Sequence, residues 1–272
     1  MLYKMKPRFY LGLGILLTSE VLLLAGVKWA RIFFTPLVWT GYILAIDAVV
    51  FKIRGRSRIA TDGREFLLIT VLSAVYWYVF EFFNLFLKNW AYIGLPAPWI
   101  TIVGMTWSFA TIGPGMLETS DLLESAGAFR LKMKGFKISR SILYTFSILG
   151  AGCLISILVT PTNIAGYLAI PLWLGFIFLL DPVNYLKGRS SILGDWQAGN
   201  WQRFLCLFVA GLICGFLWEF WNYWAGAKWV YKLPYPAGPK IFEMPLLGFL
   251  GFPLLALDYY VFYSYVLKWK EG

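Results

Sequence analysis

Two glutamates with an asparagine three residues on, Glu81-x-x-Asn84 and Glu219-x-x-Asn222, carry the most chemical content in this chain. Residues three apart share one face of a helix, so each pair offers a carboxyl group and an amide to the same surroundings. A carboxyl group in an apolar site donates a proton when neutral and stabilises developing positive charge when ionised, and a neighbouring amide would orient it. Glu81 and Glu219, with Asp258 in the last apolar stretch, are the candidate catalytic residues. Each Glu-Asn pair is followed by Trp-x-Tyr and a proline: Trp90, Tyr92 and Pro96 in one copy, Trp229, Tyr231 and Pro234 in the other. With Trp77, Trp218 and Trp221 these aromatics would wall a pocket suited to a carbocation-like charge. Asn84 and Asn222 complete the candidate substrate-binding set.

A second pairing lies upstream of each copy. Asp47 precedes a Gly-Arg-Ser turn containing Arg56, and Asp181 precedes one containing Arg189. A guanidinium and the N–H groups of such a turn could hold a lipid headgroup or a phosphate. Ordinary pairing of the aspartates with nearby basic residues at headgroup level is the simpler reading of the same residues. The Glu-Asn pairs likewise have a purely structural reading, as polar glue between helices framed by an interfacial aromatic belt.

Other chemistry is excluded by what is missing. The chain has no histidine, so His-ligated metals, haem and Ser-His-Asp hydrolysis drop out together. Its three cysteines form no C-x-x-C and read as small packing residues. There is no nucleotide-binding glycine motif. No cofactor and no metal is expected.

The elements that must position these residues are membrane helices. The sequence is 60% hydrophobic, 19% aromatic and only 14% charged, with a mean hydropathy of +0.68, whereas charged residues make up about a quarter of soluble domains. About 20 apolar residues cross a bilayer as a helix, and eight such stretches are predicted, roughly at 9–27, 32–51, 65–87, 98–117, 141–160, 165–183, 204–225 and 245–266. Gly113-Pro114-Gly115, Pro171 and Pro253 are expected to kink their spans. With the N-terminus inside, 18 of the 24 basic residues fall in inner segments, from Lys4, Lys6 and Arg8 at the start to Lys268 and Lys270 at the end. The expected location is the inner (cytoplasmic) membrane, multi-pass, with both termini cytoplasmic. The +10 charge is then accounted for by topology and anionic headgroups, so membrane lipids are expected partners and nucleic acid is not.

The echo between the Glu-Asn-Trp-Tyr stretches reads as an internal repeat. Four spans per half give both copies the same orientation, so the fold class is all-α, about eight transmembrane helices in two parallel four-helix repeats. The first repeat covers residues 1–135 and the second 136–272, within one membrane domain.

The second copy also resembles the membrane domains of the lycopene cyclases that occur as paired or fused small subunits, themselves tandem three-helix repeats. Asn222, Trp229, Tyr231, Glu243 and Pro245 carry the likeness, with a fainter version at Asn84, Trp90, Tyr92 and Pro98, covering about a quarter of the chain. The proline followed by paired glutamates in that family has no counterpart: Glu243 precedes Pro245, and Leu246 and Leu247 follow. What the resemblance implies is a related architecture and a polyisoprenoid substrate. Three functions stay open at this stage: binding or acid-catalysed conversion of an isoprenoid or other lipid in an acidic, aromatic-lined cavity; secondary or proton-coupled transport; and a non-catalytic scaffold or assembly role. The sequence does not indicate an oligomeric state.

Overall fold

The computed structural model describes residues 5–234 and 238–268, so Lys4 and Lys270 of the basic termini lie outside the described residues. Eight helices among them are long and apolar enough to cross a bilayer. They are α1 (Pro7–Leu24), α2 (Phe34–Arg54), α3 (Gly63–Leu87), α4 (Pro98–Ser125), α5 (Arg140–Val159), α6 (Ala169–Leu186), α7 (Gln202–Trp224) and α8 (Gly251–Val266). The chain is an all-α, multi-pass membrane protein, and the span positions read from hydropathy agree with these helices to within a few residues at most ends. Large apolar side chains such as Leu11, Val21, Leu24, Leu67, Ile148 and Val159 are more than half exposed. Water would penalise that surface, and lipid would not.

Packing follows the same order in each half. In the first, α2 and α3 both lie against α4 while α1 lies on α2; in the second, α6 and α7 both lie against α8 while α5 lies on α6. The halves meet chiefly where α4 packs on α7. The outermost pairs approach through glycine. A Cβ on Gly12 of α1 would sit 2.5 Å from the carbonyl oxygen of Gly41 on α2, and one on Gly150 of α5 would sit 2.4 Å from the backbone nitrogen of Leu179 on α6. Close backbone approach at small residues is how helices associate where no hydrophobic force acts between them.

The prolines behave less uniformly than expected. Pro171 and Pro253 fall in the first turns of α6 and α8, where a missing N–H breaks no helical bond. Pro114 does lie inside its helix, α4.

Two short β elements complete the fold at the end of the bundle opposite Arg8. Strand β1 (Trp90–Ile93) follows α3, strand β2 (Lys228–Tyr231) follows α7, and they pair antiparallel. Farther along, β3 (Lys240–Ile241) and β4 (Met244–Pro245) form a small hairpin that leads into the 3₁₀ turn Leu246–Leu250 before α8. Each strand is too short to show a period of two in the sequence.

Candidate functional site

The register of the β1–β2 ribbon organises the site. Trp90 pairs with Tyr231, Ala91 with Val230, and Tyr92 with Trp229. Corresponding positions of the two motifs thus cross over, Trp on Tyr and Tyr on Trp, as they would about a two-fold axis between Ala91 and Val230. Side chains alternate along a strand, so Trp90, Tyr92, Trp229 and Tyr231 share one face. All four line a cavity of about 190 Å³ bounded also by α2, α3, α4, α6, α7 and α8.

Each motif proves to be a self-contained hydrogen-bonded unit. Asn84 sits in the last turn of α3, where the helix ends on Lys88 in the left-handed region (φ 54). Its Oδ1 accepts the backbone N–H groups of Asn89 (2.9 Å) and Trp90 (3.3 Å), and its Nδ2 donates to the Trp90 carbonyl (2.9 Å). Asn222 does the same for β2, accepting from Trp229 N (3.0 Å) and donating to Trp229 O (2.9 Å). The asparagines therefore pin strand backbone to the helix end.

The glutamates pin the side chains. Glu81 Oε1 accepts from Tyr92 Oη (2.5 Å), Trp77 Nε1 (2.9 Å) and Trp90 Nε1 (3.0 Å). Glu219 Oε1 accepts from Tyr231 Oη (2.7 Å) and, more distantly, from Trp229 Nε1 (3.4 Å), whose N–H also reaches Tyr231 Oη at 2.9 Å. Glu219 is fully buried, with Oε2 unpartnered. Outside the spans, burial first and the adjacent glutamate second push the phenols of Tyr92 and Tyr231 well above their ordinary range, so both stay protonated as donors.

The cavity wall and the carboxyl groups are consequently two separate layers. Trp77, Trp90, Tyr92, Trp218, Trp229 and Tyr231 line the cavity, whereas Glu81, Glu219, Asn84, Asn222 and Asp258 do not. The glutamates reach the cavity only through the indole N–H and phenol O–H groups they hold. Trp221 lies elsewhere, donating to Glu20 Oε1 (2.9 Å) and packed edge-on against Trp39 (5.2 Å). Asp258 is fully buried within α8, next to Tyr259, and away from the cavity wall.

The upstream aspartates are placed at the other end of the bundle. Asp47 Oδ1 accepts from Ile59 N (2.9 Å), and its Oδ2 pairs with Arg8 Nε at 2.5 Å. Asp181 accepts from Ile192 N (2.8 Å) and Leu193 N (2.9 Å). Each carboxylate thus meets the start of the short helix that follows its Gly-Arg-Ser turn, Arg58–Thr61 or Ile192–Gln197, where free N–H groups attract an anion. The expected arginines are not their partners. Arg56 is exposed, and Arg189 donates to the Tyr265 carbonyl (2.6 Å) while lying over that ring. Arg58 instead forks onto Asp121, at 2.7 and 3.3 Å.

Among the cavity residues that the sequence motifs do not point to are Asn89, Thr35 and Trp173. Asn89 stands directly before Trp90, in the place that Lys228 takes before Trp229, so a search for what the two copies share passes over it. The chain matches no protein-family model, no curated protein and no solved structure.

Proposed function

We propose that this chain resides in the cytoplasmic membrane with both termini inside, arose by duplication of a four-helix unit, and binds a lipidic isoprenoid in its aromatic cavity for acid-type conversion. The observation that carries the reading is the two-layer wall: seven Trp and Tyr side chains on the cavity, with the motif indoles and phenols tied back to the half-buried Glu81 and the fully buried Glu219. Aromatic rings supply contact area for a hydrocarbon chain. Carboxylates directly behind them make the potential in the cavity favourable to positive charge, which adds to the attraction of the rings for a cation. Tyr92 and Tyr231 touch both the cavity and a carboxyl group, so a proton moving between glutamate and ligand would pass through them. The likeness of Asn222, Trp229, Tyr231 and Glu243 to the small-subunit lycopene cyclases supports the same substrate class.

Native mass spectrometry of the detergent-purified protein tests this directly. A retained polyisoprenoid, displaced in Trp218→Leu, is the expected result. A protein that carries no such lipid and whose tryptophan emission is unmoved by added isoprenoids would refute it, and proton-dependent solute uptake into proteoliposomes would replace it with transport.

A further inference from the structure

The strap that joins the two halves, between the end of α4 at Ser125 and the start of α5 at Arg140, forms no helix. It carries Arg130, Lys132, Lys134 and Lys137, with Arg140 following, and no Asp or Glu occurs anywhere between Glu124 and Asp181. Residues 129–137 are all exposed. Among the described residues no carboxylate pairs with any of these five cations. Glu124, the nearest along the chain, meets Arg54 at 3.5 Å, and Asp195 meets Arg203 at 3.0 Å. The apolar side chains set between the cations are open as well, Leu131 and Met133 by more than half.

This exposure is built in, because the backbone of the strap is clamped. Met133 N donates to the Gly199 carbonyl (2.9 Å), Ile138 N to Gln197 Oε1 (3.3 Å), and Gln202 Nε2 to the Ala128 carbonyl (2.9 Å). Main chain also meets main chain at glycine: a Cβ on Gly135 would collide with the Gln197 carbonyl, and one on Gly199 with the Met133 carbonyl. Lys132 forms a β-bridge with Asn200, and side chains alternate along such backbone. Leu131 and Met133 therefore stand on the side opposite Lys132.

The place of the strap follows from the helix it feeds. With 20 residues, α5 is about 30 Å long, the thickness of a bilayer's hydrocarbon core, so Arg140 stands at the boundary of that core. Beyond it the surface of α5 turns apolar, with Tyr144 and Ile148 more than half exposed. Cations interleaved with open apolar side chains at this depth suit the headgroup zone, where a Lys or Arg stem lies against apolar contacts while its charge reaches a phosphate. A nucleic acid or an acidic protein would satisfy the cations and leave Leu131 and Met133 in water.

We propose that the strap is a binding surface for anionic phospholipid, its five cations holding the headgroups and Leu131 and Met133 seated at the acyl boundary. It ties the joint between the halves to the bilayer surface. The assignment stands on the multi-pass fold and is independent of what the cavity holds.

Native mass spectrometry of the full-length protein in detergent, titrated with phosphatidylglycerol and separately with phosphatidylcholine, tests it. The wild type should bind phosphatidylglycerol about tenfold or more tightly than phosphatidylcholine, and each strap charge removed should weaken that binding about fivefold. Lys132→Gln with Lys134→Gln should thus abolish most of the preference while phosphatidylcholine binding stays within about twofold. Arg56→Gln with Arg64→Gln, two exposed cations at the same end of the bundle but outside the strap, should keep the preference. Equal loss in the two double variants would show a general effect of charge and overturn the site, as would equal affinity of the wild type for both lipids. Tight capture of polyglutamate without a preference for phosphatidylglycerol would assign the strap to an acidic protein and overturn the lipid.

Discussion

Tyr92 lies directly across the ribbon from Trp229, yet the two side chains answer to different glutamates, Tyr92 to Glu81 at 2.5 Å and Trp229 to Glu219 at 3.4 Å. The halves are thereby joined edge to edge by backbone, while each keeps its own carboxyl group for its own aromatics. Substitutions at one glutamate should therefore be felt first in its own half of the wall.

Glu219→Gln retains an acceptor for Tyr231 and Trp229 but removes the charge, whereas Glu219→Ala leaves buried donors without a partner. A stranded buried donor costs about 1–3 kcal/mol, so the alanine variant should melt clearly lower in detergent and the glutamine variant should stay near wild type. If charge behind the wall matters to function, Glu219→Gln should nevertheless lose isoprenoid conversion. Equal thermal shifts in the two variants would instead make the glutamate purely structural.

Asn222→Ala removes both bonds between α7 and the start of β2. Local loss of about 1–2 kcal/mol corresponds to a factor of roughly 5–30 in opening, and amide hydrogen exchange at Val230 and Tyr231 should quicken by that amount. Exchange in α1 and α5 should not change. Uniform acceleration over the whole chain would show that the asparagine supports global rather than local stability.

Raising the pH reports on the phenols of Tyr92 and Tyr231. Their folded-state pKa values lie above the unfolded value near 10, so the unfolded chain gives up these protons first and stability falls as pH climbs past about 10. Below that point their contribution is fully present. In a spectrophotometric titration at the tyrosinate band, exposed tyrosines should ionise near pH 10, and Tyr92 and Tyr231 only together with unfolding. Tyr231→Phe should reduce the amplitude of the late phase. Early ionisation of Tyr231 in the folded protein would contradict the burial described above.

At Gly150 there is no room for a side chain against Leu179 and Gly175. Gly150→Val should overpack the α5–α6 contact and cost about 1–3 kcal/mol, visible as a lower melting temperature in detergent. Gly152, where a methyl group would project into open space, should accept alanine without loss.

Much of the scaffold could be read from residue order. Apolar stretches located all eight helices because a bilayer leaves few other options for such segments, and the recurrence of Glu, Asn, Trp and Tyr singled out the side chains that form the site's two layers. Hydropathy is silent, however, on which way a carboxyl group turns. The spacing that placed Glu81 and Asn84 on one face is also the spacing that lets them reach back to Trp90 and Tyr92, so a candidate catalytic pair and a helix-to-strand clamp look the same in sequence. Asn89 and Thr35 were invisible for another reason. Their place in the wall depends on folding contacts such as that of Asn89 Nδ2 with the Gly166 carbonyl, which span long stretches of chain.

The crossed register of the ribbon has one more consequence. A guest without twofold symmetry of its own can lie in such a chamber in two opposite senses that the Trp and Tyr rings barely tell apart. The choice between head-first and tail-first then falls to the places where the halves disagree beside the tryptophans, Ala91 against Val230 and an amide at 89 against a tethered ammonium at 228.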